Sequence, residues 1–414
     1  MSFTLRSFAV ATALTLSFPL ALLVSTPSGA ATSTIPECPP VAKTATGNQS
    51  SAINATNSGG TWNLDGAVWS NVPDPIVFPI QSESWTRGCI VGGTVDGNTP
   101  RDWTRDMWYN GEDGGNAKYD DAEGVRLKLT DTANNFAVVR DVFVSDVEDA
   151  FDPDGGSITN ATYLDHVHAE YIRDDCIENE KSVHNMYISN SLFDGCFVAF
   201  AEKPDDSSAD AGTADADFVV EDSLVYVQPQ PLGPNYCSSS KVSQDRCKAT
   251  DKSNVWLGSY GMFKWGKSAA ANVVIRDTIF RVDMPSYSSC SGNRFPTNGT
   301  YENVTLVYTG PGSWTTAGDC SNVVPKGVTV TTDKSVWDKA KAAWLDGSST
   351  APPAEEPPAE EPPAEEPPAE EPSDSDAAIA DALARLEQAQ SALDRAAVEV
   401  AAIERLLQDM QSSA

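Results

Sequence analysis

Six short segments of the chain share one pattern, in which alternating apolar residues are interrupted by a single Asp, Asn or His. These shared polar residues are Asp141, His166, Asn190, Asp222, Asp277 and Asn303. Successive members are 24 to 32 residues apart, except for one gap of 55. Short apolar units that recur at such spacing are typical of repeat proteins in which each unit stacks on its neighbour. The sequence therefore predicts an all-β fold, a right-handed parallel β-helix.

The shared polar residue of each segment has a structural interpretation. Stacked short polar side chains satisfy backbone groups at a bend, so we expect these six residues to form a polar ladder along the repeats. A β-sandwich is the alternative fold, but its turns usually come about every 8 to 12 residues and require no recurring polar residue. The repeat spacing favours the parallel fold.

The N-terminal region has the layout of a secretory signal peptide. Arg6 precedes an apolar run over residues 8–24, and small residues follow it up to Ala30. The run is short for a membrane span, and no later stretch is apolar enough to cross a bilayer. We therefore predict that residues 1–30 are removed and that the protein is secreted, without a transmembrane segment.

The cysteines agree with export, because the eight of them form an even set that contains no CxxC pair. This pattern favours disulfides over a zinc site. Spacing alone does not fix their connectivity. The bridges that the sequence suggests are Cys38–Cys89, Cys237–Cys247 and Cys290–Cys320. Cys176 and Cys196 are expected to stack on neighbouring repeats, either as a buried pair of thiols or as a disulfide.

The net charge of −31 restricts the partners of the chain. Such a charge opposes binding to nucleic acid and to anionic lipid. It favours calcium and neutral or calcium-bridged ligands.

The C-terminal region differs from the body, which covers residues 31–348. Residues 349–375 contain four PPAEE repeats, which predict a stiff, extended linker. Residues 376–411 are rich in Ala, Leu and Glu and carry an apolar seam at alternating spacings of three and four. This seam predicts a coiled-coil helix that self-associates or docks on a cell-envelope protein, and docking would associate the secreted protein with the cell surface. A lone solvated helix is the alternative, because small Ala residues at every second seam position weaken burial.

Over about residues 60–335, the repeat rhythm, the polar ladder and the export signal resemble the pectate-lyase-like family of secreted right-handed β-helix proteins. The segment Asp174-Asp175-Cys176-Ile177 also resembles the DDC-I element of polygalacturonase-type glycoside hydrolases. The Gly-His-Gly and Arg-Ile-Lys elements of those enzymes are not found in this sequence. The resemblance implies a polysaccharide as the ligand or substrate.

Acidic side chains concentrate where three segments fall on consecutive repeats. The segments are EDAFDPD (148–154), DDCIENE (174–180) and DGCFVAF (194–200). Carboxylates about 5 Å apart on neighbouring repeats need a cation, a basic partner or raised pKa values. Calcium suits such an oxygen-rich cluster, and its predicted ligands are Asp149, Asp152, Asp175 and Glu178. A solvated acidic edge without a metal is the alternative.

Two reactions fit these residues. In a lyase of the resembled family, calcium neutralises a uronate carboxylate, and Arg173, Lys203 or Lys264 would remove the adjacent proton. In a hydrolase, two carboxylates such as Asp174 and Asp175 would flank the glycosidic bond. A non-catalytic carbohydrate-binding or surface-adhesion protein remains the alternative to both enzymes.

Aromatic residues supply candidate substrate contacts, because rings on a groove can stack against sugar faces. The candidates are Trp103, Trp108, Trp256 and Trp265. Packing in the core or under a cap is the alternative role for each of them. His168 is a further candidate contact, although its position two residues after the ladder residue His166 also suits a packed strand residue.

Overall fold

Equivalent strands of successive repeats pair in parallel, as the alternating apolar pattern predicts. The structure is a computed structural model that describes residues 34–56, 59–70, 79–110, 123–130, 132, 134–154, 159–180, 184–202, 216–233, 248–249, 256–266, 272–288 and 290–347. The predicted signal peptide, the 349–375 linker, the 376–411 helix, Lys203, Cys237 and Cys247 lie outside the described residues. No helix of the described part is long and apolar enough to cross a membrane.

Two long sheets contain most of the strands, and every pairing within them is parallel. The first sheet contains, in spatial order, β1 (Val41–Thr44), β4 (Gly60–Asn63), β7 (Arg87–Val91), β10 (Phe136–Arg140), β13 (Ala161–Asp165), β15 (Asn185–Ser189), β17 (Asp217–Glu221), β23 (Asn272–Arg276) and β25 (Gly299–Glu302). The main path of the second sheet contains β2 (Gly47–Asn48), β5 (Ala67–Ser70), β8 (Thr94–Asp96), β11 (Phe143–Ser145), β14 (His168–Glu178), β16 (Leu192–Glu202), β18 (Leu224–Val227), β24 (Ile279–Val282), β26 (Val304–Tyr308) and β27 (Val328–Thr331).

The second sheet also has a branch. Its strands are β3 (Ile53–Thr56), β6 (Ile80–Trp85), β9 (Val125–Leu129), β12 (Phe151–Asp154) and β22 (Gly261–Trp265). The long strands β14 and β16 join the branch to the main path, because each pairs with strands of both. A small antiparallel sheet is formed by β19 (Gln230–Leu232), β20 (Lys248–Ala249) and β21 (Trp256–Gly258). The prediction of an all-β fold with parallel strands is confirmed.

The six residues of the polar ladder lie where the chain passes from the first sheet to the second. All six adopt a left-handed backbone, with φ between 45° and 58°. Asp and Asn tolerate this conformation better than most residues with a side chain, which explains the residue types at these positions. The ladder side chains also bond to one another, with His166 Nδ1 2.6 Å from Asp141 Oδ1 and Asn303 Nδ2 2.8 Å from Asp277 Oδ1. The six predicted residues therefore share one bend conformation, and the side chains of two neighbouring pairs are bonded.

Inward-facing residues on the branch form an apolar column. Phe151, Ile177, Phe200 and Phe263 lie opposite one another on successive strands, and each is at most 1% exposed. The ring centroids of Phe200 and Phe263 are 5.8 Å apart. Burial of each such side chain stabilises the fold by roughly 1.5–3 kcal/mol, so the column fixes the register of the branch.

Three disulfides link the described cysteines: Cys38–Cys89, Cys176–Cys196 and Cys290–Cys320. The suggested bridges within the described residues are therefore confirmed. The prediction that Cys176 lies directly opposite Cys196 is wrong. The register shifts between Ile172 and Asp175, so that Ile172 lies opposite Cys196. The Cα atoms of the two cysteines are nevertheless 5.5 Å apart, which suits a disulfide. Such bridges are typical of proteins that fold in oxidising compartments.

A C-terminal helix of the body, α2 (Lys334–Leu345), packs against the outer face of the second sheet. Trp337 and Trp344 are buried there against a row of apolar side chains: Leu192, Leu224, Ile279 and Val307. Lys341 forms an ion pair with Asp194, and Trp344 Nε1 donates to Asn190 O at 3.0 Å. The helix therefore covers this part of the sheet.

Candidate functional site

The branch of the second sheet brings charged residues from distant parts of the chain onto one outward row. Arg126 lies opposite Asp152 on the next strand. Phe151 lies opposite Ile177, and this register places Glu178, the next residue, in the same row as Asp152. Glu178 lies opposite Ala201, which in turn lies opposite Lys264. The charged side chains of this row, from Arg126 to Lys264, thus lie along one edge of the molecule, as the repeat pattern predicts.

The outer acidic cluster consists of Asp175, Glu178 and Glu180, whose nearest oxygen atoms lie within 4.8 Å of one another. Asp175 is only 1% exposed, whereas Glu178 and Glu180 are partly exposed. Lys264 Nζ lies 3.0 Å from Asp175 Oδ2 and 2.7 Å from Glu180 Oε1. The small side chain of Ala201, between Glu178 and Lys264 in the row, leaves room for the lysine to reach these carboxylates. Lys264 therefore supplies a positive charge to the outer cluster.

The electrostatics of the outer cluster favour a protonated Glu178 and a protonated Lys264. Burial raises the pKa of Glu178 to about 7, and the carboxylates of Asp152 and Glu180 add to this effect. Burial alone would lower the pKa of Lys264, but the neighbouring carboxylates, Asp175 first, outweigh it and raise this pKa above its usual 10.5. Glu178 can therefore donate a proton near neutral pH, while Lys264 stays charged.

A second group, the buried acidic cluster, consists of Glu123, Glu148 and Asp149, with oxygen atoms within 4.8 Å of one another. All three are at most 6% exposed. The backbone N–H of Asp149 donates to Glu123 Oε2 at 3.2 Å, and that of Asp175 donates to Asp149 Oδ1 at 2.7 Å. Burial, followed by the charge of Glu123, raises the pKa of Asp149 well above its usual value. Burial and the neighbouring carboxylates thus favour a protonated Asp149.

The predicted calcium ligands are divided between different environments. Asp149 belongs to the buried cluster, Asp175 and Glu178 belong to the outer cluster, and Asp152 pairs with Arg126 at 3.5 Å. The buried cluster offers only carboxylate oxygens, the donors that calcium prefers. The outer cluster already contacts the ammonium of Lys264, so its charge is partly neutralised without a metal.

Two of the predicted catalytic residues are engaged in structural contacts. Asp174 Oδ2 accepts from Arg105 Nη2 at 2.6 Å, and both residues are buried. Arg173 is 3% exposed and donates through Nη2 to Trp103 O at 2.5 Å. These contacts hold the short helix α1 (Arg105–Asn110) and the loop before it against β14. Asp175 and Lys264 are brought together in the outer cluster, and Lys203 lies outside the described residues.

The predicted aromatic contacts are largely used for packing. Trp108 is 1% exposed, and Trp265 sets its edge against Phe218 and Phe263 with centroids 5.1 and 5.5 Å away. Trp256 packs against a small apolar cluster that includes Phe197. Trp103 is partly exposed, and its carbonyl is held by Arg173 as described above. Among the four predicted tryptophans, Trp265 is the one adjacent in sequence to a residue that contacts the outer acidic cluster, because it directly follows Lys264.

His168 lies on the main path of the second sheet and has a packing role. Its ring contacts Phe143 at 4.8 Å and Trp344 of α2 at 5.4 Å. Burial lowers its pKa, which favours the neutral ring beneath the helix. His166 belongs to the polar ladder, as predicted.

Sequence reasoning did not select three members of these clusters: Glu123, Glu148 and Glu180. A signal for Glu123 was present, because it precedes Asp149 by 26 residues and Asp149 precedes Asp175 by the same interval. That interval matches the repeat.

Comparisons with protein-family models, with curated proteins and with solved structures found no match to this chain. The site is therefore interpreted from its own geometry.

Proposed function

We propose that this chain is an exported protein that binds a polysaccharide along the outer acidic cluster and cleaves it by hydrolysis. In this proposal the two long parallel sheets are faces of one right-handed parallel β-helix, and the predicted signal peptide directs secretion. The three disulfides among the described cysteines support an oxidising compartment. The predicted C-terminal helix would self-associate or attach the protein to the cell envelope.

Protonated Glu178 carries the proposal. Glycoside hydrolases use one carboxylic acid to protonate the leaving oxygen and a second carboxylate on the other side of the bond. With a pKa of about 7, Glu178 holds a transferable proton at neutral pH. Glu180, which is partly exposed and ion-paired with Lys264, is the proposed second carboxylate. Asp175 would hold Lys264 in place from the buried side.

The spacing of the carboxylates supports one stereochemical outcome. The nearest oxygens of Glu178 and Glu180 lie within 4.8 Å. Oxygens this close are compatible with the roughly 5–5.5 Å separation of the carboxyl groups in retaining enzymes. We therefore expect the sugar to keep its anomeric configuration, which proton NMR of the first product would detect.

A calcium-assisted lyase is less well supported by the geometry. Its base must be unprotonated, whereas the carboxylates around Lys264 hold that amine protonated. Arg173 is buried against Trp103. Calcium itself remains part of the proposal at the buried acidic cluster, where Glu123, Glu148 and Asp149 would hold it and where it would neutralise their charge.

The test is incubation of the mature protein with neutral and acidic polysaccharides, in calcium and in a chelator. Hydrolysis predicts new reducing ends without ultraviolet absorbance from unsaturated sugars. Glu178→Gln is expected to lower the rate by roughly 10²- to 10⁴-fold, because it removes the transferable proton. Glu302→Gln, at an exposed glutamate of the first sheet, is the matched control and should retain activity.

Each other outcome has a distinct meaning. Unsaturated products that require calcium would assign a lyase instead. Retention on a glycan column without turnover would assign a carbohydrate-binding or adhesion protein. Full activity in Glu178→Gln would move the reaction away from the outer acidic cluster.

A further inference from the structure

Helix α2 packs against a row of outward side chains that is apolar except at one histidine. The aligned positions on successive strands of the second sheet are Phe143, His168, Leu192, Leu224 and Ile279. Trp344 of α2 contacts this histidine, with 5.4 Å between the ring centroids. A titratable ring therefore lies under the C-terminal end of the helix.

The ring of His168 has little to stabilise a second proton. Its Nε2 is buried and makes no hydrogen bond within the described residues. Phe143, at 4.8 Å, is a second aromatic neighbour of the ring. A neutral imidazole leaves one ring nitrogen without a proton, whereas the charged form carries a proton on both. Protonation would therefore place a charged N–H group in a buried position without an acceptor.

The acidic residues that act on His168 are already engaged by other cations. They are Glu170 and Asp194. Glu170 Oε1 lies 2.9 Å from Arg101 Nη2, and Asp194 forms an ion pair with Lys341 of α2. The charge of Lys341 opposes a further positive charge beside it, and burial lowers the pKa of His168 in spite of the two acids. The docked helix is therefore more compatible with a neutral His168 than with a charged one.

His166 is the second histidine beside the helix, and its surroundings are different. Its ring centroid lies 5.0 Å from that of Trp344, and its Nδ1 lies 2.6 Å from Asp141 Oδ1. The side chains of His166 and Asp141 are 44% and 47% exposed. A positive charge on His166 would have both this carboxylate and water as partners, although it would add to the repulsion of a charge on His168. Docking of the helix therefore depends on His168 rather than on His166.

We propose that helix α2 is an acid-released latch, which stays docked while His168 is neutral and detaches when this ring gains a proton. Detachment gives the charged ring access to water and moves Lys341 away from it. It also uncovers the apolar side chains beneath the helix: Leu192, Leu224, Ile279 and Val307. Since the chain continues from α2 towards the predicted 349–375 linker, release would lengthen the tether of the C-terminal region by the 12 residues of the helix.

The direction of the pH dependence follows from linkage between protonation and docking. Burial under the docked helix lowers the pKa of His168 below its usual 6.5, and detachment returns this pKa towards that value. Docking is therefore fully stabilised above about pH 6.5 and weakens as the pH falls through this value. Each unit by which the pKa is lowered corresponds to about a tenfold rise in the opening constant of the helix at acidic pH.

The test is hydrogen exchange of the mature protein at pH 8 and at pH 5, with the disulfides intact. Mass spectrometry follows the peptide that contains α2, and the rates are corrected for the intrinsic exchange rate at each pH. A peptide that contains β23 is the internal reference for the body of the protein. The measurement follows detachment of a helix and not turnover, so its result is independent of the proposed hydrolysis.

The opening constant of α2 should rise severalfold from pH 8 to pH 5 in the wild type, while β23 stays protected. His168→Leu, which repeats the residue of the next two strands in the row, should abolish this rise. His168→Phe keeps a flat ring and should do the same. His166→Asn is the matched control, because Asn190 adopts the same bend, and it should retain the rise.

Four results would overturn the proposal. One is an opening constant of α2 that is equal at the two pH values in the wild type. Another is a rise that persists in both His168→Leu and His168→Phe, which would place the switch at the pair of Lys341 and Asp194 or elsewhere. The third is a rise that is abolished by His166→Asn. The last is a loss of protection in β23 together with α2, which would mean that acid unfolds the body instead of releasing the helix.

Discussion

The substitution Glu178→Gln should stabilise the protein at alkaline pH and leave its stability nearly unchanged at acidic pH. Burial raises the pKa of Glu178 from its usual 4.5 to about 7, so the folded state resists losing this proton. Below pH 4.5, both the folded and the unfolded chains hold the proton, and the group has no effect on folding. As the pH rises from 4.5 to 7, the unfolded chain ionises first and stability falls. Above pH 7, the full penalty is present.

The size of this penalty follows from the shift. Each pKa unit corresponds to about 1.4 kcal/mol, so the difference between 4.5 and about 7 amounts to about 3 kcal/mol. The neutral amide of Gln resembles the protonated acid and removes most of the penalty. The free energy of unfolding of Glu178→Gln should therefore exceed that of the wild type by about 2–3 kcal/mol at pH 8.

The assay is urea unfolding at pH 4 and at pH 8 with the disulfides intact. Glu302→Gln, which changes the same residue type at an exposed position, controls for the loss of one negative charge. An identical effect of Glu178→Gln at both pH values would refute the reasoning, as would a destabilisation at pH 8. The first result would mean that Glu178 has a normal pKa, and the second that its ionised form makes a favourable contact.

Three further predictions concern individual contacts. Replacing Cys176 and Cys196 together by Ala should cost about 3 kcal/mol in urea unfolding, because the bridge closes a loop across 20 residues; an unchanged midpoint would show that the bridge adds no constraint. Trp344→Ala should lower the melting temperature, because it removes about 3–5 kcal/mol of packing and the hydrogen bond to Asn190 O. An unaltered melting curve would mean that α2 does not stabilise the sheet. Lys264→Met leaves the outer acidic cluster without its cation and should cost about 3–5 kcal/mol at pH 8. The cost should be smaller at pH 4, because burial raises the pKa values of Asp175 and Glu178; equal losses at the two pH values would contradict this ion pairing.

The fold could be predicted because its determinants repeat along the chain. Asp141, Asn190 and Asp277 mark the same left-handed bend in different repeats, and this conformation selects the residue type locally. The alternating apolar residues around each bend then specify short strands. Helix α2 was not predicted, because its role depends on an apolar row that only the assembled sheet creates.

The site was predicted in part, for a related reason. Asp175 and Lys264 were identified separately, and their contact at 3.0 Å depends on a register that spans several strands. The shift in β14 after Ile172 is a local change in hydrogen bonding that leaves no mark in residue type. Trp108 illustrates the remaining limit, since an aromatic residue fits equally well on a groove and under a helix until the packing is known.

The left-handed bends also make the protein tolerant of changes in length. His166 and Asn190 are separated by 24 residues and Asp222 and Asp277 by 55, yet the strands before each pair of bends meet in register. The strands before these bends pair in the same way whether the interval is short or long. New segments could therefore be inserted between bends, so the exterior of such a protein can diversify in evolution or by engineering while its interior remains the same.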